Sequence, residues 1–147
     1  MDKPTIVAGS DHAGVEVKDA VVKMLIENGY QVKDVGTYST DSVDYPDFAH
    51  AVAKSLENDS SKLGLLVCGS ANGVAITANK HHHIRAAIAW RNEVAALARQ
   101  HNNANVLCIP ARFVSIEEAK ELMNIFLNSS FEGGRHQRRV EKIEVTG

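Results

Sequence analysis

Short apolar runs alternate with helical patterns along the whole chain, and this alternation limits its fold more than any other feature. Residues 64–67, Gly-Leu-Leu-Val, contain no polar side chain, as in a strand that is buried on both faces of a parallel sheet. The other predicted strands have the same β-rich character. They lie at residues 5–9, 32–35, 84–90 and 105–109.

Helical patterns fill the segments between these runs. The first closes at Gly29, the second begins at Pro46 and ends near Asn58, and Ser115 with Glu118 forms a capping box that opens a later one. A helix through residues 94–98 and a last helix from Arg135 complete the pattern. Strands that alternate with helices form right-handed βαβ units, so the sequence predicts an α/β fold with helices on both faces of a five-stranded parallel sheet.

Length and composition set the class of protein. A chain of 147 residues with 44% hydrophobic residues and a net charge of -2 is typical of one soluble domain, here residues 1–147. The longest apolar stretches are far shorter than the ~20 residues of a membrane span. The first strand follows the N-terminus too closely for a signal peptide, so we expect a cytoplasmic protein. The charge does not favour nucleic acid as a partner, and Cys68 and Cys108 are expected to be free thiols.

Polar residues collect where the predicted strands end, which is where parallel sheets bind ligands. Asp11 and His12 stand between the first strand and its helix, so His12 lies near backbone amides that favour an anion such as phosphate. Asp11 is equally well explained as a helix cap without any further role.

The segment Cys68 to Gly73 follows the central strand and is made of small residues. Such a loop lets successive backbone amides converge on a negative charge, although small residues also form ordinary tight turns. The spacing is neither that of a P-loop nor that of a dinucleotide fingerprint. Cys68 at a strand end is commonly an inert core thiol, and a nearby helix start would lower its pKa if it were functional.

Three further groups of polar residues remain ambiguous. Arg135 and Arg139 are four residues apart, a spacing that suits a phosphate if the tail is helical, but a solvated basic tail is the commoner explanation. His101 follows a helix, where a histidine often meets the helix dipole. The triplet at residues 81–83 invites a metal hypothesis, but adjacent histidines on a short loop point apart and no Cys or carboxylate cluster completes a site.

Taken together, the motifs resemble the B-type ribose-5-phosphate isomerases, a family that also includes galactose-6-phosphate and allose-6-phosphate isomerases. The matching segments are GSDHAG, DVGTYS with DYPDFA, VCGSANGVAITANK, IRAAIAW, ARQHNNANVL with ARF, and GGRHQRRV, in that order. The resemblance implies a Rossmann-like three-layer αβα sandwich. It further implies an aldose-ketose isomerase that interconverts ribose 5-phosphate and ribulose 5-phosphate, in homodimers or homotetramers whose sites lie between subunits.

The resemblance also implies a role for each matching residue. Cys68 matches the base that moves a proton between C1 and C2 through an enediolate, and His101 and Asp11 match the pair that opens the furanose ring. Ser70 and the amides of Gly69, Ala71, Asn72 and Gly73 match the part that holds the enediolate charge, and Asn102 matches a contact to a substrate hydroxyl. The remaining matches, to phosphate ligands and a neighbouring site residue, are His12, Arg112, Arg135, Arg139 and His136. The tail from about residue 133 to 147 is expected to reach a neighbouring subunit.

At two positions this chain differs from other members or branches of the family. Ala71 stands where many relatives carry glycine, and alanine resists positive φ values. Val74 stands where another branch carries a glutamate after the loop's last glycine, so Cys68 is the expected base.

Three alternatives stay open at the level of sequence. An isomerase of a six-carbon sugar phosphate would need the same base and anchors. A non-catalytic phosphate- or nucleotide-binding module would share the fold without needing Cys68 or His101. An RNA-binding tail would predict a wider basic surface. No cofactor and no metal are implied, since fixed dipoles and proton transfer can stabilise an enediolate.

Overall fold

The structure, a computed structural model, describes residues 3–145, and these form a five-stranded sheet in which every neighbouring pair of strands is parallel. The strand order is β2-β1-β3-β5-β4. β3 lies at the centre and pairs with β1 and β5 on its two sides. The strands are β1 Ile6–Ser10, β2 Val32–Asp34, β3 Leu63–Cys68, β4 Ala86–Ile88 and β5 Val106–Pro110.

Helices cover both faces of the sheet, which confirms the three-layer αβα arrangement. A 3₁₀ turn at His12–Gly14 leads directly into the first helix. The α-helices are α1 Val15–Glu27, α2 Tyr45–Glu57, α3 Asn72–Ala78, α4 Asn92–Gln100, α5 Ile116–Asn128 and α6 Arg135–Glu141. One apolar core joins the sheet to α1, α4 and α5, and a second joins its other face to α2 and α3.

The predicted strand at residues 84–90 is shorter in the structure and lies at an edge of the sheet. β4 pairs only with β5, and its three residues are partly exposed instead of fully buried. Before the strand, the backbone N–H of Arg85 donates to the Asn105 side chain at 2.7 Å. The Asn105 side chain thus accepts from a backbone N–H that would bond to the neighbouring strand if β4 were longer. The apolar run predicted the strand, but not its length or its place at the edge of the sheet.

The capping box at Ser115 and Glu118 forms as predicted, with both reciprocal hydrogen bonds present. Cys68 and Cys108 are both free thiols. Within residues 3–145, no helix is long and apolar enough to span a membrane.

A buried ion pair ties α1 to the segment that follows β2. The Lys18 side chain is fully buried, and its ammonium donates to the two Asp34 carboxylate oxygens at 2.8 and 3.0 Å and to the Thr37 carbonyl at 2.7 Å. Asp34 also accepts from the backbone N–H of Gly36 at 2.9 Å. These contacts fix the start of the loop that runs past the carboxyl edge of the sheet.

Replacing Lys18 with methionine should lower the free energy of unfolding by ~3 kcal/mol, because the Asp34 charge and the Thr37 carbonyl lose their only described ammonium partner. Urea denaturation measures this change. Lys23→Met is the matched control, since Lys23 lies on the same helix but is exposed, and it should change the free energy by less than about 0.5 kcal/mol. Equal stabilities of the two variants would show that the ion pair is not needed.

Candidate active site

The three central strands deliver polar side chains to one cavity at the carboxyl edge of the sheet. Asp11 follows β1, Cys68 ends β3, and Arg112 lies two residues beyond β5. The cavity has a volume of about 370 Å³. Its lining residues are Asp11, His12, Ala13, Cys68, Gly69, Ser70, Arg112 and Phe113.

Asp11 has two roles in this cavity. One carboxylate oxygen accepts from the backbone N–H of Gly14 at 3.1 Å, so Asp11 does cap the turn, and the other lies 3.2 Å from the Cys68 sulfur. Gly14 makes this contact possible, since a Cβ there would lie 2.5 Å from the Val67 carbonyl oxygen. The close approach of the turn to β3 therefore brings the Asp11 carboxylate to the thiol.

The Cys68 thiol is held in its protonated form. Burial raises the pKa of Cys68 to about 11, with a further increase from the hydrogen bond to Asp11 and from its charge. The backbone amides of Gly69 and Ala71 act on this pKa in the opposite direction. The amides before α3 thus lower the pKa of Cys68, as the sequence predicts for a nearby helix start, but burial and the adjacent carboxylate outweigh them and the pKa is raised overall.

Asp11→Asn should lower the pKa of Cys68 and speed alkylation of the thiol at neutral pH. The substitution removes the negative charge that disfavours the thiolate, and each unit of pKa removed raises the thiolate fraction about tenfold. Iodoacetamide labelling followed by mass spectrometry, together with thiolate absorbance against pH, measures both effects. Asp41→Asn, on the exposed loop, is the control and should leave the labelling rate unchanged. Slower labelling of Asp11→Asn would contradict the electrostatic explanation.

The loop after Cys68 passes through a left-handed conformation although it carries alanine at its centre. Ala71 has φ 68° and ψ -4°, is fully buried, and immediately precedes α3. This left-handed conformation costs alanine roughly 1–2 kcal/mol, so the surrounding contacts must hold it. The Ser70 hydroxyl accepts from the Asn72 backbone N–H at 3.3 Å and from its side-chain amide at 3.2 Å.

Gly73 is required by the close approach of Tyr45. A Cβ at position 73 would lie 2.4 Å from the Tyr45 ring. Tyr45 begins α2, so this contact places the first turn of α2 against the first turn of α3. Val74 is fully buried in the core between α3 and the sheet, so the position after Gly73 presents no side chain to the cavity.

Two basic side chains complete the cavity. The His12 Nδ1 atom accepts from the backbone N–H of Val43 at 3.2 Å, which leaves Nε2 to carry the proton of a neutral imidazole and to donate to a ligand. The Arg112 guanidinium lies against Gly69, where a Cβ would be 3.2 Å from its Cζ. The cavity therefore offers two cationic or N–H donor groups beside the thiol.

A second cluster of predicted site residues lies at the opposite, amino edge of the sheet. The rings of His101 and His136 stack with centroids 4.1 Å apart and planes at 12°. The His101 Nε2 and His136 Nε2 atoms each lie 3.7 Å from the same Glu132 carboxylate oxygen. Asn102 is exposed beside this stack, and Arg135 and Arg139 are exposed on α6.

A single chain does not bring the two clusters together. α4 begins beyond β4 at the carboxyl edge and ends at Gln100 near the start of β5, which pairs in register with the start of β3. Cys68 lies four residues further along β3 than Gly64, on the order of 13 Å away. Asp11 and His101, which are predicted to act as a pair, are therefore separated within one chain. The predicted phosphate ligands are also divided, because His12 and Arg112 lie at the carboxyl edge and Arg135 and Arg139 lie at the amino edge.

The histidines at residues 81–83 bond to two separate groups of residues. His81 bonds to Glu57 through Nδ1, and its Nε2 lies 2.7 Å from His50 Nδ1. His82 contacts Glu144, which also accepts from the backbone N–H of His83 at 2.8 Å. The rings of His82 and His83 lie with their centroids 6.4 Å apart.

Sequence reasoning missed Glu132, Val43 and Phe113. Glu132 lies outside the matched segment GGRHQRRV. It is four residues before His136, and its backbone N–H bond to the Gln100 carbonyl, 3.0 Å long, holds it beside His101. Val43 acts through its backbone, which carries no residue-specific signal. Phe113 is 72% exposed at the mouth of the cavity, and an exposed aromatic beside a strand end was a signal that could have been used.

Comparison with known proteins gives the family. The sequence model of the family described as Ribose/Galactose Isomerase matches residues 6–143. The chain belongs to the ribose/galactose isomerase family. It is 45% identical to the probable ribose-5-phosphate isomerase B of Mycoplasma pneumoniae, over 97% of this chain and 94% of that protein.

Solved structures of family members have the same fold. The ribose 5-phosphate isomerase of Thermotoga maritima superposes with a TM-score of 0.93 and is 44% identical, covering 97% of this chain and 98% of that one. The ribose-5-phosphate isomerase B of Mycoplasma genitalium, solved with bound ribulose-5-phosphate, gives a TM-score of 0.92 at 44% identity, covering 95% of this chain and 93% of that one. The Rossmann-like α/β fold and the family implied by the sequence motifs are both confirmed.

Proposed function

We propose that this chain is an isomerase that interconverts ribose 5-phosphate and ribulose 5-phosphate. The observation that carries the proposal is the contact between the Cys68 thiol and the Asp11 carboxylate, 3.2 Å apart, inside a cavity with His12 and Arg112. A proton carrier beside anion ligands is what an aldose-ketose phosphate isomerase requires. The relative solved with ribulose-5-phosphate supports the choice of the five-carbon sugar.

In this proposal Cys68 moves the proton between C1 and C2 of the open-chain sugar. Proton removal leaves a negative charge on the enediolate oxygen, and the amides of Gly69 and Ala71, which already face the sulfur, are placed to stabilise it. Ser70, Asn72 and Gly73 hold the loop in this conformation. The raised pKa of Cys68 means that the free thiol is protonated, so the substrate and the assembled site must promote formation of the thiolate.

The second cluster supports a site shared between two copies of the chain. At the amino edge, away from Cys68 of their own chain, Asn102, Arg135 and Arg139 are exposed and His101 is partly exposed. His136 is buried against the His101 ring. A homodimer in which this edge of one copy faces the cavity of the other would join Asp11 with His101 for ring opening. It would also add Arg135 and Arg139 to His12 and Arg112 around the phosphate.

The C-terminal tail contributes to the shared site while it stays packed against its own chain. His136 packs on His101 and Val140 is buried, so one face of α6 is fixed to the domain. Arg135 and Arg139 lie four residues apart on the exposed side. The single-domain chain with a shared site is therefore the proposed unit. Its charged sugar phosphate substrate favours the cytoplasm, because such a substrate does not cross a membrane unaided.

The test is conversion of ribose 5-phosphate by the purified chain, with allose 6-phosphate and galactose 6-phosphate as parallel substrates and with EDTA present. The expected result is a kcat/KM for ribose 5-phosphate at least about tenfold above either six-carbon sugar, since one extra carbon must be accommodated in the same cavity. Preference for a six-carbon sugar would reassign the substrate. No turnover of any sugar phosphate by folded protein would refute the isomerase and favour a phosphate-binding module.

A further inference from the structure

His12 lines the cavity with one of its two ring nitrogens already bonded. Its Nδ1 atom accepts from the backbone N–H of Val43 at 3.2 Å, which leaves Nε2 for a ligand. A neutral imidazole carries its proton on the nitrogen that does not accept, so the proton lies on Nε2. We propose that the Val43 N–H is a positioning group for substrate binding, because it fixes the ring orientation and the tautomer that let His12 donate to the substrate phosphate. This role rests on the proposed function, which supplies the phosphate.

A phosphate group can use only one of the two neutral forms of this ring. Its charged oxygens accept hydrogen bonds, so they need an N–H at the nitrogen that faces them. A His12 ring with its proton on Nδ1 would turn the Nε2 lone pair towards the phosphate, and the two would repel each other. A ring that rotated freely would also lose that freedom on binding. The bond to Val43 removes both penalties, just as the outer hydrogen bond of a metal-bound histidine fixes its tautomer and ring orientation.

The loop between β2 and α2, which supplies this donor, is fixed at its first end. The Gly36 carbonyl accepts from the Ser10 N–H at 2.8 Å, and the Thr37 N–H donates to the Ser10 carbonyl at 2.9 Å. The Thr37 carbonyl is also held by the buried Lys18 ammonium at 2.7 Å. These bonds tie the loop to the end of β1, two residues before His12.

The second end of this loop is fixed by α2. Tyr45 begins α2, two residues after Val43, and its ring lies so close to Gly73 that a Cβ there would be 2.4 Å away. Val43 itself is partly buried, whereas residues 38–42 before it are exposed. The donor N–H therefore belongs to backbone that is packed against the domain, so the His12 ring is oriented before any ligand binds.

Steady-state kinetics of two variants at position 43 tests this role. Val43→Pro removes the N–H, since proline has no backbone donor, and Val43→Ala is the matched control because it keeps the N–H. The KM for ribose 5-phosphate should rise about five- to tenfold in Val43→Pro, while kcat stays within about twofold. This split is expected because the phosphate is held alike in the ground state and in the transition state. Val43→Ala should keep both parameters within about twofold of the wild type.

A double-mutant cycle with His12→Phe separates positioning from damage to the loop. Phenylalanine keeps a ring but offers no nitrogen, so Val43→Pro should raise KM in the wild type and leave it unchanged in His12→Phe. An equal rise in both backgrounds, or no rise in a folded Val43→Pro, would overturn the role of Val43. Should Val43→Pro fail to fold, the α-hydroxy acid analogue of valine at position 43 replaces the amide by an ester and removes the same N–H.

Nitrogen-15 NMR tests the bond itself and needs no activity. At about pH 8, where an ordinary imidazole is neutral, the wild type should carry the His12 proton on Nε2. It should also show a scalar coupling between Nδ1 and the Val43 amide nitrogen, and Val43→Ala should keep that coupling. A proton on Nδ1, or the absence of the coupling, would overturn the positioning role.

Titration with inorganic phosphate, followed at the Nε2 signal of His12, separates this role from the isomerase. Saturation of the shift at about five- to tenfold higher phosphate in Val43→Pro than in the wild type would support the positioning role. If such a wild type turned over no sugar phosphate, the proposed function alone would fail. Equal saturation in the two proteins, or no shift in the wild type, would overturn the positioning role whether or not the chain is an active isomerase.

Discussion

Cys68→Ala is expected to lose at least ~10²-fold in kcat for ribose 5-phosphate while keeping its fold, because a positioned general base contributes ~10²–10⁴-fold. Among the described groups, only the Cys68 thiol contacts the Asp11 carboxylate and also lies within hydrogen-bond reach of the backbone amides of Gly69 and Ala71. Coupled detection of ribulose 5-phosphate measures the rate, and circular dichroism checks the fold.

Cys108→Ala is the matched control for this substitution. Cys108 is the other free thiol, but it is fully buried on β5 and does not line the cavity. Burial raises its pKa strongly, and its place outside the cavity leaves it without access to the substrate. Its loss should cost about 1 kcal/mol of stability or somewhat more through a small cavity, with turnover retained. Full activity in Cys68→Ala, or equal losses in both variants, would refute Cys68 as the base.

A hybrid of Cys68→Ala and His101→Asn subunits should regain about half of the wild-type turnover per dimer, although each variant alone is nearly inactive. If every site combines Cys68 of one copy with His101 of the other, the hybrid places both defects in one site and leaves the second intact. Two different affinity tags on the co-expressed chains allow the hybrid to be isolated, and the ribose 5-phosphate assay then measures it.

A second hybrid gives the control. Pairing Cys68→Ala with Asp11→Asn places one defect in each site, because both residues line the same cavity of their own chain, so no turnover should return. If both hybrids stay inactive while the mixed species is present, the site is contained in one chain. Restoration in both would mean that the cavity itself is divided between subunits, against the contact of Asp11 with Cys68.

The elements of the fold follow closely from local sequence. The apolar run at residues 64–67 lies inside the central strand β3, and the capping box at Ser115 opens α5 as predicted. Such features depend on side chains a few residues apart, so a sequence displays them directly. The place of β4 at the edge of the sheet depends on which strands pair, and no local pattern records that.

The candidate site also combines features that local sequence predicts with features that depend on the tertiary structure. The motifs identify Asp11, Cys68 and Arg112, and the rule that parallel strands bind ligands at their carboxyl ends predicts that they meet. No motif indicates that Glu132 approaches His101, because the two residues are distant in the chain and meet where the Glu132 N–H bonds to the Gln100 carbonyl. The sequence also argues against positive φ at Ala71, yet the buried turn holds that conformation.

By itself, then, the sequence determined the alternating α/β order, the small-residue loop after Cys68 and the set of side chains capable of acid–base chemistry or anion binding. Each of these follows directly from residue type and spacing. Only the tertiary structure decided that burial, together with Asp11, raises the pKa of Cys68 and that His101 lies at the far edge of the sheet. The physical reason is that a pKa depends on burial and on charges a few ångströms away, and these neighbours are brought together by packing between residues distant in the chain.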